Sequence, residues 1–223
     1  MTAHFPNSPG SISEIVDYTP QTGLYRSGLK RIFDIVFVIC TSIIVVPLVA
    51  ILSMIVSLDG GSPFYVQTRV GLKGRSFRMV KLRSMVQDAD RKLAEYLATH
   101  PEAAAEWART QKLRHDPRVT WIGRVIRRTS LDELPQFWNV LMGDMSVVGP
   151  RPMMPSQRDL YPGQAYYALR PGVTGLWQIG ERNNTSFASR ARFDADYYSL
   201  MSFWADLSII LRTVRVVLRG TGV

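Results

Sequence analysis

The chain of 223 residues has one cysteine and three histidines. The lone Cys40 cannot form an internal disulfide, which argues against a disulfide-stapled secreted domain and for a reducing, cytosol-facing one; within its apolar run it reads as a small hydrophobic filler. His4, His100 and His115 are scattered, so no His/Cys cluster offers a zinc site, and the metal that fits oxygen ligands is Mg²⁺. The sequence also lacks a Walker loop and a dinucleotide-type glycine fingerprint. Zinc-finger, RNP and basic heptad signatures are missing too, which speaks against nucleic acid as a partner. The first 25 residues are polar and have no apolar centre, so they read as a mobile tail rather than a cleavable signal.

Acidic residues are in deficit. Eighteen Asp and Glu face 27 Lys and Arg, a formal net charge of +9. Such an excess implies an anionic partner, whether nucleic acid, an acidic lipid surface or a phosphorylated small substrate, and charge alone does not choose among them. With 46% apolar residues the chain can bury one real core but is short for two domains of ordinary size.

Charge is wholly absent from Ile35 to Val56, a stretch long enough for a helix to cross a bilayer core. Pro47 removes a backbone donor and clashes with the carbonyl four residues earlier, so a kink near Val46 is expected. Two topologies follow: a spanning helix that tolerates its proline, or a re-entrant helix that bends at Pro47 and leaves on its entry side. Arg26, Lys30 and Arg31 precede the run, while Arg69, Lys73, Arg75, Arg78, Lys81 and Arg83 follow it; basic residues on both flanks favour re-entry. Either way the larger, more basic C-terminal part is expected in the cytoplasm.

Beyond it, Pro63 to Val70 and Phe77 to Met85 alternate partially and predict a short hairpin. Asp88 to Gln111 predicts two surface helical pieces broken at Pro101, and Arg118 to Arg128 another helix. Ser130 reads as the cap of an amphipathic helix that carries Leu134, Phe137, Trp138, Val140 and Leu141 and ends at Gly143. The Gly- and Pro-dense stretch from Ser146 to Asn184 predicts loops that support a pocket. Two more helices follow from Ser186. The last, Phe203 to Arg219, sets Arg212, Arg215 and Arg219 among Leu207, Ile210, Leu211, Val214, Val217 and Leu218, a pattern that fits both a packed helix with a basic face and one docked at a membrane surface. The whole predicts an α+β, mostly helical fold. It would comprise a mobile tail (1–28), a membrane-inserted, re-entrant helix kinked at Pro47 (29–58), and a cytosolic catalytic part (59–223) with a small β-hairpin and amphipathic interfacial helices around the active site.

Asp132-Glu133 is the one directly adjacent pair of acids, and Arg124, Arg127 and Arg128 immediately precede it. One reading is a capping box, with Ser130 capping a helix, Glu133 reaching back to its backbone, and Asp132 favouring the positive helix end. The other is chemical. A helix N-terminus beside arginines holds phosphate, and carboxylates there bind Mg²⁺ or attack phosphorus. Diphosphate esters repel an incoming anion, so such catalysis needs the charge neutralised and the nucleophile held in line.

Five ordered motifs carry a resemblance: KRIFDI at 30–35, VKLRSM at Val80 to Met85, SLDELPQ at Ser130 to Gln136, GDMSVVGPRP at Gly143 to Pro152, and RPGVTGLWQI at Arg170 to Ile179. On these the chain, from about Lys30 to its C-terminus, resembles the bacterial sugar transferases, the monotopic polyprenyl-phosphate phosphoglycosyl transferases of exopolysaccharide and O-antigen assembly. HDPRVT and the closing DYYSLMSFWADLSIIL look most like the subfamily that transfers galactose phosphate to undecaprenyl phosphate.

The resemblance implies an enzyme at the cytoplasmic face of the bacterial inner membrane. Its Asp132 would attack the sugar-linked phosphate of a UDP-sugar, UDP-galactose or UDP-glucose, release UMP and pass the phosphosugar to undecaprenyl phosphate with ping-pong kinetics. Glu133 would support Mg²⁺ and the geometry of the dyad, so that Asp132 and Glu133 are the expected metal ligands. Lys81, Arg83, Arg127, Arg151, Arg170 and Arg182 become candidates for phosphate contacts, with Arg127, Arg151 and Arg170 ranked first. Membrane lipids are implied partners, and a homo-oligomer is compatible with this. Where relatives commonly read Gln-Ile/Val-x-Gly-Arg-Asn, this chain has Gln178-Ile179-Gly180-Glu181-Arg182-Asn183, which places a charged side chain where glycine would let a backbone approach closely. The competing reading is a non-catalytic, basic, membrane-tethered scaffold that binds acidic lipids and whose Asp132-Glu133 pair only caps a helix.

Overall fold

The computed structural model describes residues 22–110, 113, 116–180 and 187–218. Most of the expected tail, Arg182, Glu181 and Arg219 lie outside the described residues. After a π-helical turn at Tyr25–Leu29, helix α1 runs from Lys30 to Val56, unbroken in its helical assignment through Pro47. At ~1.5 Å per residue its 27 residues exceed the ~30 Å of a hydrocarbon core. It is the one helix among the described residues long and apolar enough to cross a membrane, with a mean hydropathy of 3.1. Ile43 and Ile44 are 80% and 73% exposed, as suits side chains solvated by lipid rather than by a protein core.

Strands β1 (Phe64–Val70) and β2 (Ser76–Leu82) form a two-stranded sheet. Only five residues join them, too few for a parallel crossover, so they make the expected hairpin. Helices α2 (Ala89–Thr99) and α3 (Pro101–Thr110) follow, divided at His100 because Pro101 suits a first helical position and not an interior one. Helix α4 is shorter than anticipated, Trp121–Arg128 instead of starting at Arg118. Thr120 Oγ1 accepts a hydrogen bond from Gly123 N at 2.9 Å and so sets its first turn.

The expected cap at Ser130 is not made. Ser130 sits in the left-handed region (φ 57°) without a side-chain cap hydrogen bond, and Leu131–Glu133 form a 3₁₀ turn. Pro135 then separates this turn from α5 (Gln136–Met142), which ends at Gly143 (φ 90°) as expected of a residue free to turn left-handed.

Within the Gly- and Pro-dense stretch two short strands were not foreseen. β3 (Ser146–Val148) and β4 (Gly172–Thr174) pair in parallel with Ser146 opposite Gly172 and Val148 opposite Thr174. Close approach explains their glycines: a Cβ on Gly172 would lie 2.1 Å from Gly149 N, and one on Gly175 2.1 Å from Gly149 O. Helices α6 (Leu176–Ile179), α7 (Arg190–Leu200) and α8 (Phe203–Leu218) complete a mostly helical chain.

The chain falls into two compact units. The first comprises Met1–Cys40, Gln67–Met79 and Phe137–Val214, and the second Thr41–Val66, Val80–Gln136 and Arg215–Val223. In the first, Val38, Met79, Val140, Met145, Val148, Tyr197 and Ile209 are buried in one apolar core. The start of α1 is tied in by charge. Lys30 Nζ lies 3.2 Å from Asp34 and 2.8 Å from Asp206, and Asp34 Oδ1 accepts from Ser146 Oγ and Val147 N, both at 3.0 Å. Tyr25 and Tyr197 donate to Asp206 at 2.6 and 2.7 Å, so this fully buried carboxylate is saturated. In the second unit Leu52 and Val56 of α1 pack with Leu82 of β2 and Ile126 of α4.

Candidate active site

The second unit assembles the acid pair. Asp132 and Glu133 lie on the 3₁₀ turn, so the two carboxylates follow the C-terminus of α4 and do not open a long helix; phosphate binding at a helix N-terminus, one of the two sequence readings, has no helix here to rest on. Lys81, from the end of β2, places Nζ 2.7 Å from Glu133 Oε1 and 3.8 Å from Asp132 Oδ2. All three side chains are largely buried, at 19%, 14% and 19% exposure for Lys81, Asp132 and Glu133, where a charge pair is screened far less than at a surface. Burial raises the Asp132 carboxyl above its ordinary range; Glu133 pushes the same way, and Lys81 and then Arg127 oppose the rise. Desolvation of this kind disfavours the charged form of the carboxyl, and the neighbouring cations work against it.

Arg127 belongs to the last turn of α4. Burial lowers its affinity for a proton, while Asp132 and Asp116 act in the opposite direction. Its Nε donates to Ser84 Oγ at 2.7 Å. Ser84 itself is buried, and its carbonyl accepts from Thr120 N at 3.2 Å. Of the six cations expected at phosphate, Lys81 and Arg127 are therefore brought to the dyad. Arg83 is employed elsewhere in the same unit: Nη2 donates to Val56 O at 3.0 Å and pairs with Asp59, which closes the end of α1.

Arg151 and Arg170 belong to the first unit. Arg170 Nε donates to Gly143 O at 2.9 Å, and Arg31 takes the neighbouring Val140 and Leu141 carbonyls, so two arginines cap the C-terminus of α5. The guanidinium carbon of Arg151 stands 5.7 Å from the Trp177 ring centre, and that of Arg190 4.2 Å from it. Burial, then Arg151, depress Arg190 to about 10. Nearby Asp194 accepts from Tyr161 at 2.7 Å, and its burial raises it to about 7. Sequence reading missed Ser84, Trp177 and Arg190, since a lone Ser, Trp or Arg carries no spacing signal; Ser84 and Trp177 could have been found only as members of the VKLRSM and RPGVTGLWQI motifs.

Among the described residues no group of three or more His, Cys, Asp or Glu could enclose a metal ion. Two adjacent carboxylates still fit Mg²⁺, which keeps waters and commonly takes one or two carboxylates together with substrate phosphates.

Asp132, Glu133 and Lys81 thus form one largely buried charged cluster, with Arg127 tethered to Ser84, in a chain that has one membrane-length helix among the described residues. Comparison with known proteins supplies the family: the profile described as bacterial sugar transferase matches residues 25–220, and the chain belongs to that family. It is 46% identical over 196 residues to a UDP-galactose-lipid carrier transferase of Erwinia amylovora, and 47% identical over 196 residues to an undecaprenyl-phosphate galactose phosphotransferase of Salmonella typhimurium. Both alignments cover 87% of this chain but 41% of the relative, so the chain spans about two-fifths of the length of these two proteins. The exopolysaccharide production protein ExoY of Sinorhizobium fredii is 43% identical over 212 residues, with 92% of this chain and 94% of that protein covered.

Proposed function

We propose that this protein is a phosphoglycosyl transferase that moves a sugar 1-phosphate from a UDP-sugar, UDP-galactose or UDP-glucose, to undecaprenyl phosphate in the first membrane step of exopolysaccharide or O-antigen assembly. The observation that carries the reading is the desolvated Asp132 held beside Glu133, Lys81 and Arg127. In the first displacement an Asp132 carboxylate oxygen attacks the sugar-linked phosphorus; the bond from that phosphorus to the bridging oxygen breaks, and UMP leaves with the electron pair. In the second, an oxygen of undecaprenyl phosphate attacks the same phosphorus, the bond to Asp132 breaks, and undecaprenyl diphosphosugar departs with the carboxylate restored. One nucleophile thereby serves a water-soluble and a lipid substrate in turn.

Lys81 holds Glu133 and steadies the ionised form of Asp132, and Arg127 offers its guanidinium to phosphate oxygens. Mg²⁺, held by Asp132 and Glu133 through the donor phosphates, would supply the remaining charge neutralisation. We place α1 in the cytoplasmic membrane as a re-entrant helix turning at Pro47, because basic residues flank both of its ends. The site then meets its lipid acceptor at the bilayer surface; by itself, α8 with its exposed Trp204, Leu211 and Val214 has the pattern of an interfacial amphipathic helix.

The test withholds the lipid. Incubation with a UDP-sugar radiolabelled in the sugar-linked phosphate is expected to leave label on the protein, lost in Asp132→Asn together with all turnover. Label that survives Asp132→Asn, or turnover that does, sinks the mechanism and favours a non-catalytic scaffold.

A further inference from the structure

Among the described residues, the Arg127 side chain is held at one nitrogen. Its Nε donates to Ser84 Oγ at 2.7 Å, and its two Nη groups make no hydrogen bond to any described residue. A guanidinium is a planar fork whose two Nη groups match a pair of phosphate oxygens, but its long side chain has many rotamers to lose before it can do so. A bond at Nε fixes the plane of the fork and leaves both tines for a ligand.

The acceptor is itself immobile. Ser84 is 8% exposed. The chain around it is locked to the segment that opens α4: Thr120 N donates to Ser84 O at 3.2 Å, Met85 bridges Val119, and Val86 N donates to Arg118 O at 2.8 Å. The fit leaves no slack, since a Cβ on Gly123 would lie 1.9 Å from Ser84 O. The helix that carries Arg127 and the segment after β2 that carries Ser84 are thus tied to each other through the residues that open α4.

We infer that Ser84 is a positioning residue: it aims the Arg127 fork at the diphosphate of the donor before the donor arrives. The inference rests on the phosphotransfer reading above, and it goes beyond that reading in giving a role to a side chain that touches neither nucleophile nor substrate. Preorganisation of this kind lowers the ordering cost of binding. A purely structural serine would instead contribute to folding alone.

Donor binding to protein silenced by Asp132→Asn separates the two. UDP-galactose and UDP-glucose are titrated calorimetrically into this protein with Ser84 intact, with Ser84→Ala and with Ser84→Thr, each again in an Arg127→Met background. Ser84→Ala is expected to weaken binding of the accepted donor roughly tenfold, the scale of one hydrogen bond to a charged group. Ser84→Thr keeps the hydroxyl and restores affinity, and with Arg127→Met the serine no longer matters. In Asp132-containing protein the loss shows in KM as well as kcat, while thermal stability falls little. Should Ser84→Ala not fold, Ser84→Cys, close in volume and a poorer acceptor, takes its place with the same expected order. Unchanged affinity in the alanine or cysteine variant, or an equal loss with and without the Arg127 guanidinium, overturns the positioning role while the Asp132 mechanism stands. If neither donor binds with Ser84 and Arg127 both present, the phosphotransfer reading falls and this role with it.

Discussion

Lys81 shows how much one cation contributes to a buried acid pair. Burial raises the Asp132 carboxyl, and Lys81 is the largest influence in the other direction. A nucleophilic carboxylate works only when ionised, so the proposed turnover declines as pH falls through that raised value. Lys81→Met removes the main opposing charge, and the acid limb of kcat/KM against pH is expected to move to higher pH, read from initial rates of UMP release. A limb that stays in place would mean that Lys81 acts only on substrate phosphate. The dyad itself was legible in the sequence, because two adjacent acids after a run of arginines are conspicuous in a basic chain. Ser84 was not, because a hydroxyl that accepts from an arginine 43 positions away leaves no local pattern.

Among the elements, those fixed by local rules were readable and those fixed by tertiary contact were not. Pro101 forces the division between α2 and α3, and the uncharged run of α1 announces a helix long and apolar enough to cross a membrane. The S-x-x-E pattern at Ser130 failed as a helix start because that residue adopts left-handed backbone and Glu133 is drawn to Lys81, 52 positions away in sequence. β3 and β4 are three residues each, too short for any periodicity to declare them. The junction of β2 and α4 makes its own prediction. Gly123→Ala would drive a methyl group into the Ser84 carbonyl, so α4 must shift. A loss of about 1–3 kcal/mol is expected from overpacking at such a site, together with weakened donor affinity; thermal melting and donor titration of the variant check both, and a neutral outcome would show that the junction yields.

Over the whole molecule, the net charge of +9 and the one long apolar helix among the described residues fit the proposed setting at an anionic membrane surface. With a re-entrant α1, a cysteine introduced at Ser8 on a Cys40→Ser background is expected to resist membrane-impermeant thiol reagents in intact cells and to react once the membrane is opened. Labelling from outside would make α1 a spanning helix. The salt-bridged entry to that helix bears on how the protein can be handled. Lys30 stands in the first turn of α1, yet one of the two carboxylates it balances, Asp206, is fully buried in α8. A shortened version begun after residue 40 to avoid detergent would strip away the cation and leave that carboxylate stranded in an apolar interior. Solubility is therefore better sought by exchanging the exposed apolar side chains beyond Cys40, such as Ile43 and Ile44, for polar ones, which keeps the opening turns of the helix, than by cutting the helix away.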